Sequence, residues 1–374
     1  MINLCGCHPN GGRRSFLTSL AAGAMTAGCV LPAPVSTPPL ATAATAATAA
    51  TAATAATAAT AAASAQPSNR IDTHHHIFSP AYVAELAKVN QAPPIVRNWS
   101  VNKTLDDMQA AGVATAIVSV TTPQVSFADA ASAPRIARES NEWSARLNRD
   151  YPGKFGQFAM LPMHNMDLAL REMEYALDVL KADGIGLLTS YGDKWLGDAS
   201  FEPLMVELNR RKAILYTHPT VANCCRNLQK DVPVTVVEFG TDTTRTIVDL
   251  VFSGRAAQCP NVRFIFSHAG GTLPFLTERL VKMPVLDPSL QPRVPNGVMH
   301  ELKRFYYDTA WSAHAGALAS LLKLVGVSQV LLGSDYPYRT GIDHVRGLAD
   351  YGLSQADQGA INRENALKLL PRLA

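Results

Sequence analysis

Residues 71–77 read Ile-Asp-Thr-His-His-His-Ile, a short run that begins and ends with β-branched isoleucine. Bounded runs of this composition predict a β-strand. Because side chains two residues apart on a strand share a face, His74 and His76 point to one side and His75 to the other. The stretch therefore predicts a strand that presents two imidazoles on one face, with His75 in a structural position.

Seven similar runs follow this first strand at intervals along the chain. They lie at 113–120, 155–161, 184–190, 213–218, 262–268, 305–309 and 329–335. Amphipathic segments with helical spacing of apolar residues separate several of them, at 134–149, 168–181, 201–211, 243–252 and 315–324. Alternation of strands and helices is typical of parallel sheets. Eight such units predict an α/β fold, a (β/α)₈ TIM barrel that spans residues 70–374.

Polar side chains fall at the predicted carboxyl ends of the strands. His74 and His76 lie near the end of the first strand, His218 ends the fifth, His268 the sixth and Asp335 the eighth. Barrels of this kind carry their active sites at these ends. Imidazoles with one carboxylate suit zinc or a similar divalent ion and leave a position for water or substrate. The pattern predicts a barrel of the metal-dependent hydrolase type with a catalytic site for a divalent ion, and it does not specify the reaction.

Charge and cysteine content limit the partners. The formal net charge of the 374 residues is +3, and Lys and Arg are scattered, so no nucleic-acid footprint is present. A small-molecule ligand is the expected partner. Three cysteines lie after the N-terminal leader, Cys224, Cys225 and Cys259, and this odd number does not indicate a disulfide framework.

The N-terminal region predicts export. Residues 13–17 read RRSFL, and residues 20–31 are apolar or small without a charge, which resembles a twin-arginine signal. The apolar run is shorter than the roughly 20 residues that a membrane span needs. We expect residues 1–32 to be a signal region that directs the protein to the periplasm.

The segment after this signal predicts a tether. Residues 26–29 read TAGC, close to a lipoprotein cleavage box but with Thr26 where Leu is usual, so a lipid anchor on Cys29 is an alternative to a free exported form. Residues 41–63 are almost entirely Thr-Ala-Ala repeats without large side chains. We expect 33–69 to be a disordered linker.

Four motifs along the barrel resemble one known family. They are IDTHHHIF at 71–78, THP at 217–219, SHAGG at 267–271 and GSDYP at 333–337. They are similar to the amidohydrolase-related family of the amidohydrolase superfamily, on the branch that includes aminocarboxymuconate-semialdehyde decarboxylase. Segments 187–194 and 242–245 further resemble enzymes that act on salicylate-type acids such as 6-methylsalicylate.

The resemblance implies a role for each strand-end residue. It implies that one divalent metal ion is bound by His74, His76, His218 and Asp335. His268 then stands beside the ion and shares acid/base work with Asp335. The predicted fourth strand has no lysine that could be carbamylated to bridge two metals, so a single ion is expected. His74 occupies a position where related manganese enzymes have Glu, which favours zinc and leaves manganese as the alternative. Dimers are common in the family, so a homodimer is one expected state.

Two reactions suit such a site. In decarboxylation, the metal chelates substrate oxygens while Asp335 and His268 deliver a proton to carbon. In hydrolysis, the metal lowers the pKa of bound water toward about 7 and Asp335 accepts the proton. The resemblance favours a carboxy-lyase that acts on a small aromatic or unsaturated carboxylic acid; a hydrolase of a lactone, ester or amide is the alternative. A non-catalytic metal-binding protein is disfavoured, because binding alone needs no proton carrier.

Aromatic and cationic side chains near the strand ends are candidates for substrate binding. They are Phe78, Tyr191, Lys194, Trp195, Arg245, Trp311 and Arg339. For each one, packing in the core or solvation at the surface is the alternative interpretation.

Overall fold

The structure, a computed structural model, describes residues 69–374. The predicted signal region at 1–32, including Cys29, and the predicted linker up to residue 68 lie outside the described residues. Within 69–374, no helix combines the length and the apolar character that crossing a membrane requires.

Eight parallel strands follow one another around a single sheet in chain order, and a two-stranded hairpin is inserted after the fourth. Hydrogen bonds from the Thr73 N–H to the Leu332 carbonyl (2.9 Å) and from the His76 N–H to the Tyr336 carbonyl (2.8 Å) join the first strand to the segment that directly follows the last strand. The predicted (β/α)₈ barrel is confirmed. The strands are β1 Arg70–His76, β2 Val113–Ser119, β3 Phe155–Met160, β4 Gly184–Leu188, β5 Ser190–Tyr191, β6 Lys194–Trp195, β7 Ile214–His218, β8 Arg263–Phe266, β9 Tyr306–Asp308 and β10 Val330–Leu331.

Helices connect the strands and cover the barrel. The five predicted amphipathic helices are confirmed, as Ala133–Asp150, Met166–Asp178, Glu202–Arg211, Glu238–Phe252 and Ala315–Val325. Further α-helices are Pro80–Lys88, Pro94–Arg97, Val101–Ala111, Arg255–Gln258, Leu273–Leu286, Val298–Arg304, Gly341–Asp350, Gln355–Gly359 and Asn365–Leu369. Several of these helices begin at a side chain that caps the first turn. The Asn165 side chain, for example, accepts the Leu168 N–H at 3.1 Å at the start of Met166–Asp178.

Two predicted strands, 262–268 and 329–335, are longer than the observed β8 and β10. His268 and Asp335 have φ values of 54° and 62°, left-handed values through which a strand does not continue. Before Asp335 the chain also passes very close to β1, because a Cβ at Gly333 would lie 2.8 Å from the His74 Cβ. Only glycine permits that approach. β8 therefore ends two residues before His268 and β10 four residues before Asp335, and both side chains lie on the turns that follow the strands.

The barrel interior is filled by side chains from directly beneath these residues, where the Tyr216 ring lies 5.4 Å from the His74 ring, to the opposite end. Phe158 and Tyr216 stack there with ring centroids 5.1 Å apart. Apolar side chains of Ala366, Leu369 and Leu370 pack onto the same cluster from the C-terminal segment. Because this end is closed by packing, the accessible side of the barrel is the one at the carboxyl ends of the strands.

Candidate metal centre

Three imidazoles and one carboxylate converge at the carboxyl ends of β1, β7 and β10. One ligand atom from each of His74, His76, His218 and Asp335 lies within 4.8 Å of every other, and all four residues are buried. Asp335 Oδ1 is 2.8 Å from His76 Nε2, 3.1 Å from His74 Nε2 and 3.8 Å from His218 Nε2. The structure thus contains the metal site that these residues were expected to form.

In His76 and His218, the ring nitrogen Nδ1 makes a hydrogen bond to a backbone carbonyl. His76 Nδ1 lies 3.3 Å from the Ser119 carbonyl, and His218 Nδ1 lies 2.9 Å from the Pro219 carbonyl. A carbonyl only accepts, so in both rings Nδ1 carries the hydrogen and Nε2 keeps its lone pair. This tautomer aims a free lone pair at the centre of the site, as metal binding requires.

The electrostatics of the site suit a cation. Burial lowers the pKa of His218 to about 3 and also lowers the pKa of His76, so both rings are neutral ligands at physiological pH. Burial acts against protonation of His74 as well, but the carboxylates of Asp308 and Asp335 outweigh it and raise the pKa of His74 to about 10. Two carboxylates beside one imidazole favour a positive charge, which a divalent ion supplies in place of the proton.

Burial would raise the pKa of Asp335, but the surrounding imidazoles, His74 foremost, hold it well below its usual range. The carboxylate is therefore ionised and able to bind a metal ion. Once a metal ion replaces the proton on His74, three rings offer Nε2 lone pairs, and this donor set fits one divalent cation of the zinc or manganese type.

His268 stands beside the ligand set without belonging to it. Its Nε2 atom is buried, makes no hydrogen bond within the described residues, and lies 3.6 Å from Asp335 Oδ2. The ring centroid is 5.0 Å from that of His74. A buried ring nitrogen with no protein partner, next to a metal ligand, is placed to exchange a proton with a bound molecule.

One of the predicted substrate-binding residues, Trp311, contacts the metal site, and a second, Arg339, lies over its ring. The indole N–H of Trp311 donates to Asp335 Oδ2 at 2.6 Å. The Arg339 guanidinium lies 5.0 Å from the centroid of the Trp311 ring and 3.6 Å from the Asp343 carboxylate. The Trp311 ring therefore borders the centre on the side of β9 and β10, and the Arg339 cation lies over that ring.

Three other candidates lie on the two-stranded hairpin and on the neighbouring helix Glu238–Phe252. Tyr191 lines a cavity of about 270 Å³, and its hydroxyl accepts the Leu188 N–H at 3.0 Å. Trp195 and Arg245 line a separate cavity of about 540 Å³. The Trp195 indole donates to Asp242 at 2.7 Å, so this ring is tied to a carboxylate outside the metal-ligand set.

The last two candidates have structural contacts. Phe78 is buried in a cluster that includes Tyr82, and its ring meets the edge of Trp99 at 6.1 Å. Lys194 is exposed, donates to the Ser200 hydroxyl at 3.3 Å and lies 3.7 Å from Asp198. Phe78 thus packs in the core and Lys194 lies at the surface, and neither contacts the metal ligands in the described structure.

Two residues that contact the site, Asp308 and Phe239, were not predicted from the sequence. Asp308, at the end of β9, accepts the backbone N–H groups of His268 and Ala310, both at 3.0 Å. Its position, an acid at a strand end, was a usable signal. The Phe239 ring lies 6.1 Å from the His218 ring, edge to face, but it belongs to a helix and no strand-end pattern points to it.

A barrel with a four-ligand site for one divalent ion at its carboxyl-terminal mouth, and an unpaired histidine beside it, defines a metal-dependent barrel enzyme. The chain belongs to the amidohydrolase family, whose model, described as Amidohydrolase, matches residues 71–372. The family resemblance of the sequence motifs is confirmed.

Individual relatives are similar over the whole barrel. A protein named decarboxylase macB, of Penicillium terrestre, is 36% identical over 323 residues, which cover 81% of this chain and 95% of the relative. A 6-methylsalicylic acid decarboxylase, acuB, of Aspergillus aculeatus is 34% identical, with 81% and 96% covered. The crystal structure of a 5-carboxyvanillate decarboxylase of Novosphingobium aromaticivorans, complexed with manganese and 4-hydroxy-3-methoxy-5-nitrobenzoic acid, has the same fold, with a TM-score of 0.75, 20% identity, and 81% and 96% coverage.

Proposed function

We propose that this chain is a carboxy-lyase, a metal-dependent, non-oxidative decarboxylase of a small aromatic carboxylic acid. The observation that carries the proposal is that the two oxygens of Asp335 have different neighbours: Oδ1 faces the metal-binding imidazoles, and Oδ2 lies 3.6 Å from His268 Nε2. One carboxylate thus joins a metal site to a proton carrier, as protonation at carbon requires. Two relatives over 30% identical are named decarboxylases, which favours a lyase over a hydrolase.

The residues of the chain supply the proton. A bound divalent ion would act as a Lewis acid on substrate oxygen atoms. His268 and Asp335 form the proton-delivering pair: a proton carried on His268 Nε2, 3.6 Å from Asp335 Oδ2, goes to the ring carbon that bears the carboxylate. The carbon–carbon bond to that carboxylate then breaks, its electron pair returns to the ring, and carbon dioxide leaves.

The substrate we propose is a salicylate-type acid such as 6-methylsalicylate. The relative of Aspergillus aculeatus that bears this substrate in its name supports the choice. In the structure, the Trp311 indole contacts the metal ligand Asp335, and the Arg339 guanidinium lies 5.0 Å from the centroid of that ring. An aromatic ring and a cation that binds carboxylate or phenolate oxygens match a planar hydroxy acid.

The metal we propose is zinc, with manganese as the alternative. Three imidazole nitrogens and one carboxylate oxygen form a ligand set that zinc commonly occupies in catalytic sites. The 5-carboxyvanillate decarboxylase of Novosphingobium aromaticivorans was crystallised with manganese, which keeps the alternative open. Elemental analysis of the protein purified without added metal decides between them.

The activity test uses the purified full chain and 6-methylsalicylate labelled at the carboxyl carbon. We expect labelled carbon dioxide and 3-methylphenol in equal amounts, with both lost after chelation and restored by zinc or manganese. Asp335→Asn should abolish turnover. If the metal-loaded protein releases no carbon dioxide from hydroxybenzoates but opens lactones or cleaves esters, the same residues serve a hydrolase and the proposal is wrong.

We propose a periplasmic location, with lipid attachment at Cys29 as the tethered form. The support is the sequence of residues 13–17 and of 26–29. Changing Arg13 and Arg14 together to Lys should hold the protein in the cytoplasm, as measured by cell fractionation. A Cys29→Ser variant should leave the membrane fraction if the anchor exists.

We also propose a homodimer. Helix Leu273–Leu286 exposes several apolar side chains: Phe275 is 90% exposed, Val285 73% and Leu286 75%. Large exposed apolar side chains along one helix support the proposal that this helix is an interaction surface. Light scattering should give twice the chain mass, and Phe275→Asp should shift the protein toward the monomer.

A further inference from the structure

The two oxygens of Asp335 have different partners. Oδ1 lies 2.8 Å from His76 Nε2, whereas Oδ2 accepts the indole N–H of Trp311 at 2.6 Å and lies 3.6 Å from His268 Nε2. A hydrogen bond to an ionised acceptor is among the stronger kinds. Rotation of the carboxylate about its Cβ–Cγ bond would break this bond, so the indole fixes the plane of the carboxylate.

Trp311, Asp335 and His268 each have a left-handed backbone conformation, which is strained for a residue other than glycine. Their φ values are 54°, 62° and 54°. Each backbone N–H is held by a hydrogen bond: 3.0 Å to His344 Nε2 for Trp311, 2.8 Å to the His74 carbonyl for Asp335, and 3.0 Å to Asp308 Oδ1 for His268. Strained residues persist where the surroundings impose them, and they cluster at functional sites. The fold thus enforces the mutual placement of all three side chains.

The exposure of Trp311 argues against a packing role. The residue is 52% exposed, although large aromatic residues are usually well buried when they serve the core. Its N–H nevertheless reaches a buried carboxylate. We propose that Trp311 is a positioning residue, whose indole N–H orients Asp335 so that one oxygen faces the metal ligands and the other faces His268. This inference rests on the proposed decarboxylase function, in which that second oxygen shares the proton.

The chain contains a matched control for this bond. Trp195 donates its indole N–H to the buried carboxylate of Asp242 at 2.7 Å. Asp242 also accepts the Ser190 hydroxyl at 2.8 Å and is not one of the clustered metal ligands. Trp195→Phe therefore removes the same kind of hydrogen bond from a carboxylate outside the metal site.

The test uses the full-length protein loaded with cobalt(II), whose visible absorption bands report the arrangement of the metal ligands. Two changes at Trp311 are compared with Trp195→Phe: Trp311→Phe, and replacement by 3-benzothienylalanine, an isostere in which sulfur takes the place of the indole N–H. We expect each protein to bind one cobalt ion. Both changes at Trp311 should alter the cobalt spectrum, and Trp195→Phe should leave it as in the wild type.

Turnover supplies the second readout. Removing a group that orients a metal ligand commonly costs about 10- to 100-fold in activity, so kcat for 6-methylsalicylate should fall by that factor with KM changed less than about threefold. A wild-type spectrum and kcat in the isostere-containing protein would overturn the proposal, even if Trp311→Phe fails to fold. Because the spectrum needs no substrate, it still decides the role of Trp311 if the wild type proves not to be a decarboxylase.

Discussion

Asp308 lies 2.9 Å from His74 Nδ1 through its Oδ2 atom and so decides which nitrogen of that imidazole faces the metal site. While Oδ2 accepts the Nδ1–H, the lone pair of Nε2 remains free to bind a metal ion. The other oxygen, Oδ1, accepts the backbone N–H of His268. One carboxylate therefore supports a metal ligand and the adjacent proton carrier.

Asp308→Asn should weaken metal binding by about 10- to 100-fold. The amide oxygen can still accept the backbone N–H of His268, which turns the amide N–H toward His74 Nδ1. That ring would then carry its hydrogen on Nε2 and lose its lone pair for the metal. Metal content after dialysis against a weak chelator measures the effect. Asp343→Asn, at an exposed carboxylate near Arg339, is the control and should retain the metal.

His268→Asn should retain the metal and lose turnover. The His268 side chain is outside the four-ligand cluster but lies beside Asp335 Oδ2, so its loss removes a proton carrier without removing a ligand. General acid–base groups contribute about 10²- to 10⁴-fold to rates, and kcat should fall within that range. The exposed His164 serves as a control, and His164→Asn should turn over normally. Equal losses in the two variants would contradict the assignment.

Arg339→Ala should raise KM for the aromatic acid by about tenfold or more, the usual cost of a lost charged hydrogen bond. Arg339 borders the metal centre through Trp311, whereas Arg245 lines another cavity and lies 3.4 Å from Glu238. Steady-state kinetics of Arg339→Ala and Arg245→Ala separate these two cations. A larger rise in KM for Arg245→Ala would show that the substrate carboxylate binds in the cavity that Arg245 lines.

Asp107 gives the protein a pH-dependent stability. Burial raises the pKa of Asp107 to about 6, although its carboxylate accepts the Gly341 N–H at 3.0 Å. The unfolded value is about 4, so between about pH 4 and 6 the folded protein binds more protons than the unfolded chain, and the free energy of unfolding falls as pH rises through this window.

Asp107→Asn should therefore raise the free energy of unfolding near neutral pH, because a neutral amide can accept the same N–H without carrying a buried charge. The gain should shrink as the pH falls through the window and vanish below about pH 4. Urea unfolding at several pH values measures it. The exposed neighbour provides the control variant, Asp106→Asn, in which a pH-dependent gain of the same size would refute the explanation.

The ligand set was predictable because strand order and strand-end position are local properties. In a parallel barrel, the end of every strand reaches the same mouth, so His74, His218 and Asp335 could be placed together without knowledge of any contact. Asp308 obeyed the same rule, but its chemistry depends on which histidine it meets across the barrel, and one sequence does not show that pairing.

The surrounding side chains were harder to place because the chain changes direction after each strand. Phe78 follows His76 by two residues, but β1 has ended and Ser79 caps the next helix, which turns the Phe78 ring into the core. Lys194 lies on the short antiparallel hairpin, where the strand alternation of the barrel no longer applies, and it faces Ser200. Loop geometry of this kind is not encoded in hydrophobic periodicity.

The metal ligands lie far apart along the chain, and this separation orders events during biosynthesis. His76 and Asp335 are in contact at 2.8 Å but are separated by 259 residues. A nascent chain that has emerged as far as β9 still lacks Asp335, so the complete ligand set exists only after the chain has emerged beyond residue 335. Coordination by all four ligands is thus impossible while the earlier strands are being synthesised. The bound ion would in turn cross-link the first strand to the last and slow the opening of the barrel at that seam.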